Sequence, residues 1–292
     1  MSHLIQRLQT EEKIHCPKWL PSNCHYLTRF GSVAYGTNRD NSDIDYYGWC
    51  IEPIEYIFPG AKGLVLGFDT IPKFETWQEH HVKDGGKEYD FQVFGIVRYF
   101  ALLSECTPNV LESIYTPLDC VESNSRISQI VRLERSKFLS KKVFNKFRGY
   151  CYGELHKIDS PGTKTGKRKE TVEKYGFDTK NLANIVRLCL ECEQLLEEKD
   201  LDLRRHSKLI RAIRDGEWPP EKIKEWFSSK EQYLNSLYEK TSLPPSADHG
   251  ELKDLLMRCL EEHYGSLNKF VRVESNADKI LNQIQEFLDA RT

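Results

Sequence analysis

The chain has 292 residues, a formal net charge of −2, 39% hydrophobic residues and 29% charged residues. These values are typical of a soluble chain that folds around a core, with room for one large domain or two ordinary ones. They exclude a global basic field that would draw the protein onto nucleic acid, and no apolar run reaches the roughly 18 residues of a membrane span.

The N-terminal part of the chain has the pattern of a mixed α/β unit. Residues 25–30 and 42–51 are rich in aromatic and β-branched residues and are predicted as strands. Between them lies Gly31-Ser32, where glycine can adopt unusual backbone angles and lets a phosphate approach closely. We expect Ser32 to cap a short helix over residues 33–35, whose free N–H groups would attract an anion.

Asp43 and Asp45 are the first candidate catalytic residues. Residues two apart on a strand point to the same face, about 7 Å apart, so the two carboxylates should project together. They would repel each other unless a cation lies between them, and Mg²⁺ prefers carboxylate and phosphate oxygens. The pattern therefore predicts a metal site beside a turn, formed by Gly31 and Ser32, that holds a nucleoside triphosphate.

A third carboxylate from a neighbouring strand is usual in two-metal phosphoryl transfer. Asp90 is the preferred candidate because Tyr89 and Phe91 flank it, as expected at the end of a buried strand. Glu88 shares its face and is the rival, and a helix cap is the structural alternative for Asp90. The site prediction is thus Asp43, Asp45 and Asp90 as catalytic and metal-binding residues, with Mg²⁺ or Mn²⁺ as the cofactor.

Around these acids, further elements are predicted in chain order. Strands are expected at residues 62–68, 73–80 and 87–93, with Asp84-Gly85-Gly86 as a hairpin turn. Helices are expected at residues 93–104 and from Thr107-Pro108 onward, where proline suits a first turn. Beyond residue 118 the pattern becomes helical, with segments at 127–135, 141–158, 179–198, 207–214, 220–238, 251–264 and 275–290.

This change of pattern predicts two domains. Residues 1–120 would form the catalytic domain, and residues 121–292 a helical domain that closes the nucleotide cleft. On the helix from Thr179, the residues Lys180, Asn184 and Arg187 share one face, and Lys180 and Arg187 are the candidate phosphate-binding cations. A solvated helix face is the alternative.

Other polar features leave two interpretations open. Residues 160–174 form a basic loop that could close on a triphosphate or serve as a linker. Basic and aromatic residues over 141–150 could bind a single strand or divide between surface and core. The pair His80-His81 has no third metal ligand at a recognisable spacing and is interpreted as surface.

The nine cysteines are scattered and odd in number, which favours reduced thiols over a disulfide framework. No secretory or transit segment is recognisable at the N-terminus, so we expect a cytoplasmic protein. Cys189 and Cys192 fall within a helical pattern and are expected to be buried thiols, not zinc ligands.

The motifs at 31–37, 41–45 and Gly48 resemble the DNA polymerase beta superfamily of nucleotidyltransferases, and within it the RNA-repair-pathway DNA polymerase beta family. Similar boxes of that family recur along almost the whole chain, at residues 107–112, 149–150, 175–180, 187–188, 214–217 and 243–244. The chain departs from the pattern at Asn184, where a histidine is expected, and at Thr107, where an asparagine is expected. These departures leave the exact substrate open, but they do not change the reaction class that the resemblance implies.

The resemblance implies an α+β fold, with a polymerase-beta-like palm followed by an all-helical C-terminal domain. It also implies transfer of a nucleoside monophosphate from an NTP to an RNA 3′ end, in a repair setting with an RNA ligase or end-healing enzyme as partner. Two alternatives stay open from the residues themselves, namely a protein or small-molecule acceptor and a non-catalytic nucleotide-binding module. The intact acids argue against the second.

Overall fold

The computed structural model describes residues 2–39, 43–159 and 166–268, together with residues 280 and 284. In these ranges one five-stranded mixed sheet has the order β3-β4-β2-β1-β5. β2 and β4 are parallel, and the other neighbouring pairs are antiparallel. The strands are β1 (Cys24–Arg29), β2 (Ile44–Cys50), β3 (Thr76–Asp84), β4 (Lys87–Gly95) and β5 (Val121–Asn124).

Helices surround the sheet and make up most of the C-terminal part. Five precede or accompany the strands: α1 (His3–Thr10), α2 (Leu20–Asn23), α3 (Ile54–Ile57), α4 (Ile96–Ser104) and α5 (Pro108–Ile114). Those after β5 are α6 (Arg126–Leu133), α7 (Lys142–Asp159), α8 (Gly166–Tyr175), α9 (Thr179–Glu198), α10 (Ser207–Arg214), α11 (Pro220–Lys240) and α12 (His249–Tyr264). This mixed sheet followed by helices confirms the α+β fold.

Local signals explain the elements that the sequence predicts well. Asp84 pairs with Lys87 across the β3–β4 hairpin, and Gly85 and Gly86 both have positive φ, at 55° and 74°. Two positive φ angles in a two-residue loop match the right-handed twist of the strands, so the glycine pair forms the turn. The helix α9 begins where the Asp178 side chain accepts from the Asn181 N–H at 3.1 Å.

The hydrophobic core joins the sheet to the C-terminal helices. A large continuous cluster extends from Tyr26 and Trp49 on the sheet to Phe147 on α7, Ile185 on α9 and Leu255 on α12. A smaller cluster on the other side packs α1 against the strands. The larger cluster contains residues from both sides of residue 120, and β5, which begins at residue 121, pairs with β1. The division into two domains at residue 120 remains a prediction.

Three predicted local structures are wrong. Residues 62–68 form no strand, because Gly63 and Gly67 turn the backbone with φ of 73° and 87°, and Leu66 and Phe68 are 80% and 88% exposed. Residues 33–35 form tight turns instead of a helix. Within the predicted basic loop, residues 166–175 form α8, whose lysines and glutamates favour helix.

Other predicted features fall outside the described residues or within the core. The helix expected at 275–290 and the loop residues 160–165 lie outside the described part of the chain. Cys189 and Cys192 are buried as expected, and all nine cysteines are free thiols. The described helices include none with the length and apolar character needed to cross a membrane.

Glu52 is a buried acid whose charge should make stability depend on pH. Its side chain lies against Gly95, where an added Cβ would overlap it, and one carboxyl oxygen has no hydrogen-bond partner. Burial raises the pKa of this carboxyl from its ordinary 4.5 to about 7. The ionised form is therefore disfavoured in the folded protein, and stability is lost as pH rises from about 4.5 through about 7.

We predict that Glu52→Gln gains stability relative to the wild type as pH rises. The difference in unfolding free energy between the variant and the wild type should be roughly 3 kcal/mol larger at pH 8 than at pH 4. Urea unfolding at a series of pH values measures this difference. Glu75→Gln, at an exposed position, is the matched control and should show no such trend. A stability difference between Glu52→Gln and the wild type that stays constant across this range would contradict the prediction.

Candidate functional site

The parallel pairing of β2 and β4 places two of the predicted acids side by side. Asp45 and Asp90 are direct register partners, on strands that lie about 4.8 Å apart. Asp43 precedes Asp45 by two residues, just before β2 begins. The structure thus brings Asp45 and Asp90 together on neighbouring strands, as the sequence predicts, while their catalytic roles remain predictions.

The Gly-Ser turn begins directly against Asp45. The Phe30 N–H donates to the Asp45 carbonyl at 2.7 Å. Gly31 has φ of 60°, and a Cβ added there would overlap Asp45 Oδ2 and lie 3.4 Å from its Cγ. Glycine is therefore required at this position twice, for its backbone angle and for the space that the carboxylate occupies.

The turn over residues 31–37 leaves a set of N–H groups unused. Its internal bonds run from Tyr35 N to Gly31 O at 3.1 Å, from Gly36 N to Val33 O at 3.2 Å and from Thr37 N to Ser32 O at 2.8 Å. Among the described residues, the N–H groups of residues 32–34 donate to no acceptor. Successive free N–H groups in a turn form a concavity that binds anions, so this segment suits phosphate oxygens.

The electrostatics of Asp45 favour a bound cation. Burial raises the pKa of its carboxyl above the ordinary range, and the charges of Asp90 and Asp43 add to the rise. Lys180 and His80 act in the opposite direction. The positive charge of Lys180, in the first turn of α9, is thus close enough to lower the pKa of Asp45, and a phosphate-binding role for Lys180 stays a prediction.

The donor set suits a hard divalent cation. The carboxylates of Asp43, Asp45 and Asp90 are the type of oxygen ligand that Mg²⁺ or Mn²⁺ binds together with the phosphate oxygens of a substrate. Within the ranges that the structure describes, no three His, Cys, Asp or Glu side chains form a ready-made metal centre. Metal binding by Asp43, Asp45 and Asp90 therefore stays a prediction.

A bulge in β3 brings two histidines to Asp90, which the sequence did not predict. The register of β3 and β4 shifts between Glu79 and Val82, and His81 has φ of 59°. The His81 N–H donates to Asp90 Oδ1 at 2.8 Å, and His80 Nδ1 lies 3.5 Å from the same oxygen. The two histidines are exposed, as predicted, but they lie beside a candidate catalytic residue, which spacing alone could not reveal.

The rival third acid is engaged elsewhere. The Glu88 carboxylate forms an ion pair with His81 Nδ1 and lies beside Lys83 in the sheet register. Asp90 is the register partner of Asp45, whereas Glu88 lies two residues earlier on β4. The geometry favours Asp90 over Glu88 as the third acid.

Arg187 occupies a buried ion-pair network. Its Nη1 lies 2.8 Å from Glu112 Oε1 and 2.9 Å from Glu191 Oε2, and only 11% of its side chain is exposed. The guanidinium also lies 4.3 Å from the centre of the Tyr35 ring, and the Tyr35 hydroxyl donates to Glu112. Arg187 therefore has a structural role, because it holds Tyr35 and, through Tyr35, the turn at 31–37. Its phosphate-binding role stays a prediction.

The basic and aromatic stretch at 141–150 divides between core and surface. Phe144 and Phe147 are buried, whereas Tyr150 is exposed. Lys142 and Lys146 form ion pairs with Glu105, at 2.6 and 3.3 Å. The stretch thus offers one exposed ring, and two of its lysines are held by one carboxylate, which does not favour it as a strand-binding surface.

We predict that Gly31→Ala lowers nucleotidyl transfer at least tenfold, because the added methyl group displaces Asp45. Gly63→Ala is the matched control, since Gly63 also has a positive φ but nothing within 4 Å of an added Cβ. Both variants should lose about 1–2 kcal/mol of stability through backbone strain. Equal activities of the two variants would show that the contact with Asp45 is unimportant.

Carboxylates on adjacent strands beside a turn of free N–H groups suit phosphoryl transfer, which is the chemistry of the nucleotidyltransferase class. The chain is a member of the RNA repair pathway DNA polymerase beta family, whose model matches residues 2–284. This confirms the resemblance drawn from the turn and the acids.

A nucleotidyltransferase-like protein from Exiguobacterium sibiricum 255-15 is similar over 87% of this chain and 78% of its own, with 10% identity and a TM-score of 0.29. No curated protein matches the chain.

Proposed function

We propose that this protein transfers a nucleoside monophosphate from an NTP to the 3′ hydroxyl of an RNA, with release of pyrophosphate. The observation that carries the proposal is the contact of Gly31 with Asp45, which in turn lies beside Asp90 across the parallel strands. This contact places the proposed phosphate-binding turn directly beside the acids. Membership in an RNA repair family supports the RNA acceptor.

The chain's own residues divide the work in this proposal. The free N–H groups of the turn at 31–37, with Ser32, bind phosphate oxygens, and Lys180 approaches the same phosphates from α9. Asp43, Asp45 and Asp90 would hold Mg²⁺ or Mn²⁺. When bound, the cation neutralises the triphosphate and lowers the pKa of the attacking hydroxyl. The acceptor hydroxyl gives its proton to solvent, its oxygen attacks the α-phosphorus, and the bond between the α-phosphorus and pyrophosphate breaks.

The test is transfer of label from each α-labelled NTP, with Mg²⁺ or Mn²⁺, to a short RNA with a free 3′ hydroxyl. The same RNA with a 3′ phosphate is the matched control acceptor. We expect label on the first RNA alone, with one NTP preferred. Label on the protein itself would move the proposal to a protein acceptor, and no transfer to RNA or to components of a cell extract would favour a non-catalytic module.

We further propose a cytosolic site of action, with an RNA ligase or end-healing enzyme as the functional partner. All nine cysteines are free, as is usual in a reducing compartment. A polymerase that extends a broken 3′ end is useful only where another enzyme prepares or seals that end. Co-purification of such an enzyme with the tagged protein, compared with the Asp45→Asn variant, tests this partnership.

A further inference from the structure

Arg214, at the end of α10, holds the phosphate-binding turn from 177 residues away in the sequence. Its Nη1 donates to the Thr37 carbonyl at 2.9 Å and lies 3.2 Å from the Thr37 hydroxyl. Thr37 is buried, and its own N–H closes the turn on the Ser32 carbonyl. One guanidinium nitrogen thus fixes both the backbone and the side chain at the end of the turn.

The backbone of Arg214 holds the second part of the proposed triphosphate site. The Thr179 hydroxyl donates to the Arg214 carbonyl at 3.0 Å, and Thr179 is buried at the start of α9. Lys180, the cation proposed to meet the phosphates, is the next residue. Arg214 therefore connects the turn and the helix end that carries Lys180 through two hydrogen-bonded contacts.

Two neighbouring arginines bind the same turn in the same way. Arg204 Nε donates to the Ala34 carbonyl at 3.3 Å, and Arg211 donates to the Gly36 carbonyl. A guanidinium is always charged and carries five donors in a rigid plane, so it fixes carbonyl groups in orientation. The carbonyls at 34, 36 and 37 thus face arginines, whereas the N–H groups of residues 32–34 have no acceptor among the described residues.

The position of Arg214 is itself closely constrained. Gly216, two residues later, has φ of 87°, and a Cβ added there would overlap the Tyr175 ring. Tyr175 ends α8, shortly before α9 begins. The end of α10 is therefore held close to the helix that carries Lys180, and the contact of Arg214 with the turn is set by packing.

We infer that Arg214 is a positioning residue for the triphosphate, because it sets the distance between the turn at 31–37 and Lys180. The inference rests on the proposed function, since it requires that an NTP binds at the turn. It assigns a role to a residue that acts through Thr37 and Thr179. Both halves of the triphosphate site should lose their alignment when the guanidinium is removed.

The test compares binding of a non-hydrolysable NTP and of the matching NMP, in Mg²⁺, to the wild type, Arg214→Met, Arg214→Lys and Arg205→Met. Arg205 forms an exposed ion pair with Glu198 and is the matched control. We expect the Kd for NTP to rise roughly tenfold to a hundredfold in Arg214→Met, with unchanged stoichiometry and little change for NMP. Arg214→Lys should be intermediate, because an ammonium group lacks the rigid fork.

The outcomes separate the inference from the function on which it rests. If the wild type binds NTP and Arg214→Met binds it equally well, Arg214 has no positioning role and the proposed function stands. Equal weakening of NTP and NMP, or a lower stoichiometry, would indicate a merely structural role and overturn the inference. Failure of the wild type to bind any NTP would overturn both. If Arg214→Met does not fold, the ratio of NTP to NMP affinity in Arg214→Lys decides.

Discussion

Asp45→Asn should lower the rate of nucleotidyl transfer by on the order of a thousandfold or more, without destabilising the fold. The amide keeps the shape of the side chain but removes the charge that would hold the cation. Burial already raises the pKa of this carboxyl, so its ionised form costs free energy in the folded protein. The variant should therefore equal or exceed the wild type in stability above about pH 4, where the unfolded carboxyl is ionised.

Single-turnover transfer and urea unfolding measure the two effects of Asp45→Asn on the same protein. Loss of activity together with gained stability is typical of a residue that function, and not folding, requires. Full activity in the variant would remove Asp45 from the metal site. Activity lost only in proportion to lost stability would indicate a structural role instead.

The third acid is tested by the pair Asp90→Asn and Glu88→Gln. Asp90 lies opposite Asp45, whereas Glu88 is paired with His81, so the first variant should lose activity nearly as severely as Asp45→Asn. Glu88→Gln should stay within about threefold of the wild type, as expected for an exposed ion pair. The reverse order of the two activities would move the third acid to Glu88.

Arg187→Met should cost about 3 to 5 kcal/mol of unfolding free energy, because it leaves Glu112 and Glu191 buried without their cation. Glu112 is fully buried, and burial raises the pKa of the Glu191 carboxyl well above its ordinary range. The cost therefore comes from the uncompensated carboxylates more than from the lost guanidinium. Urea unfolding near neutral pH measures it.

The double variant Arg187→Met with Glu112→Gln is the internal control for this network. It should be more stable than the sum of the single effects predicts, since the amide removes the stranded charge. Arg148→Met, at an exposed arginine paired with Glu231, should cost no more than about 1 kcal/mol. If Arg187→Met instead left stability unchanged and raised the KM for NTP, Arg187 would be the phosphate-binding residue that the helix pattern predicts.

The elements that the sequence predicted correctly are those with local causes. The bounds of α9 follow from apolar periodicity and the Asp178 cap, and those of α10 follow from periodicity alone. The β3–β4 turn follows from two glycines. The side-by-side projection of Asp43 and Asp45, expected from the two-residue period of a strand, stays a prediction because Asp43 lies just before β2. Each of these depends on residues a few positions apart, so an isolated sequence contains the information.

What the tertiary structure decided are contacts between distant segments. The bulge at His81 exists only through the pairing of β3 with β4. The period of α9 placed Arg187 on the face of Lys180, but it could not show that Glu112 and Tyr35 cover that part of the helix.

The turn, the acids and the family boxes thus identify the family of this protein from the sequence alone. Only the fold decided the register that sets Asp45 beside Asp90 and the contact of Arg214 with the turn. The physical reason is that local patterns report which groups a segment carries. Whether groups from distant segments come into contact depends on burial and on hydrogen bonds formed across the whole chain.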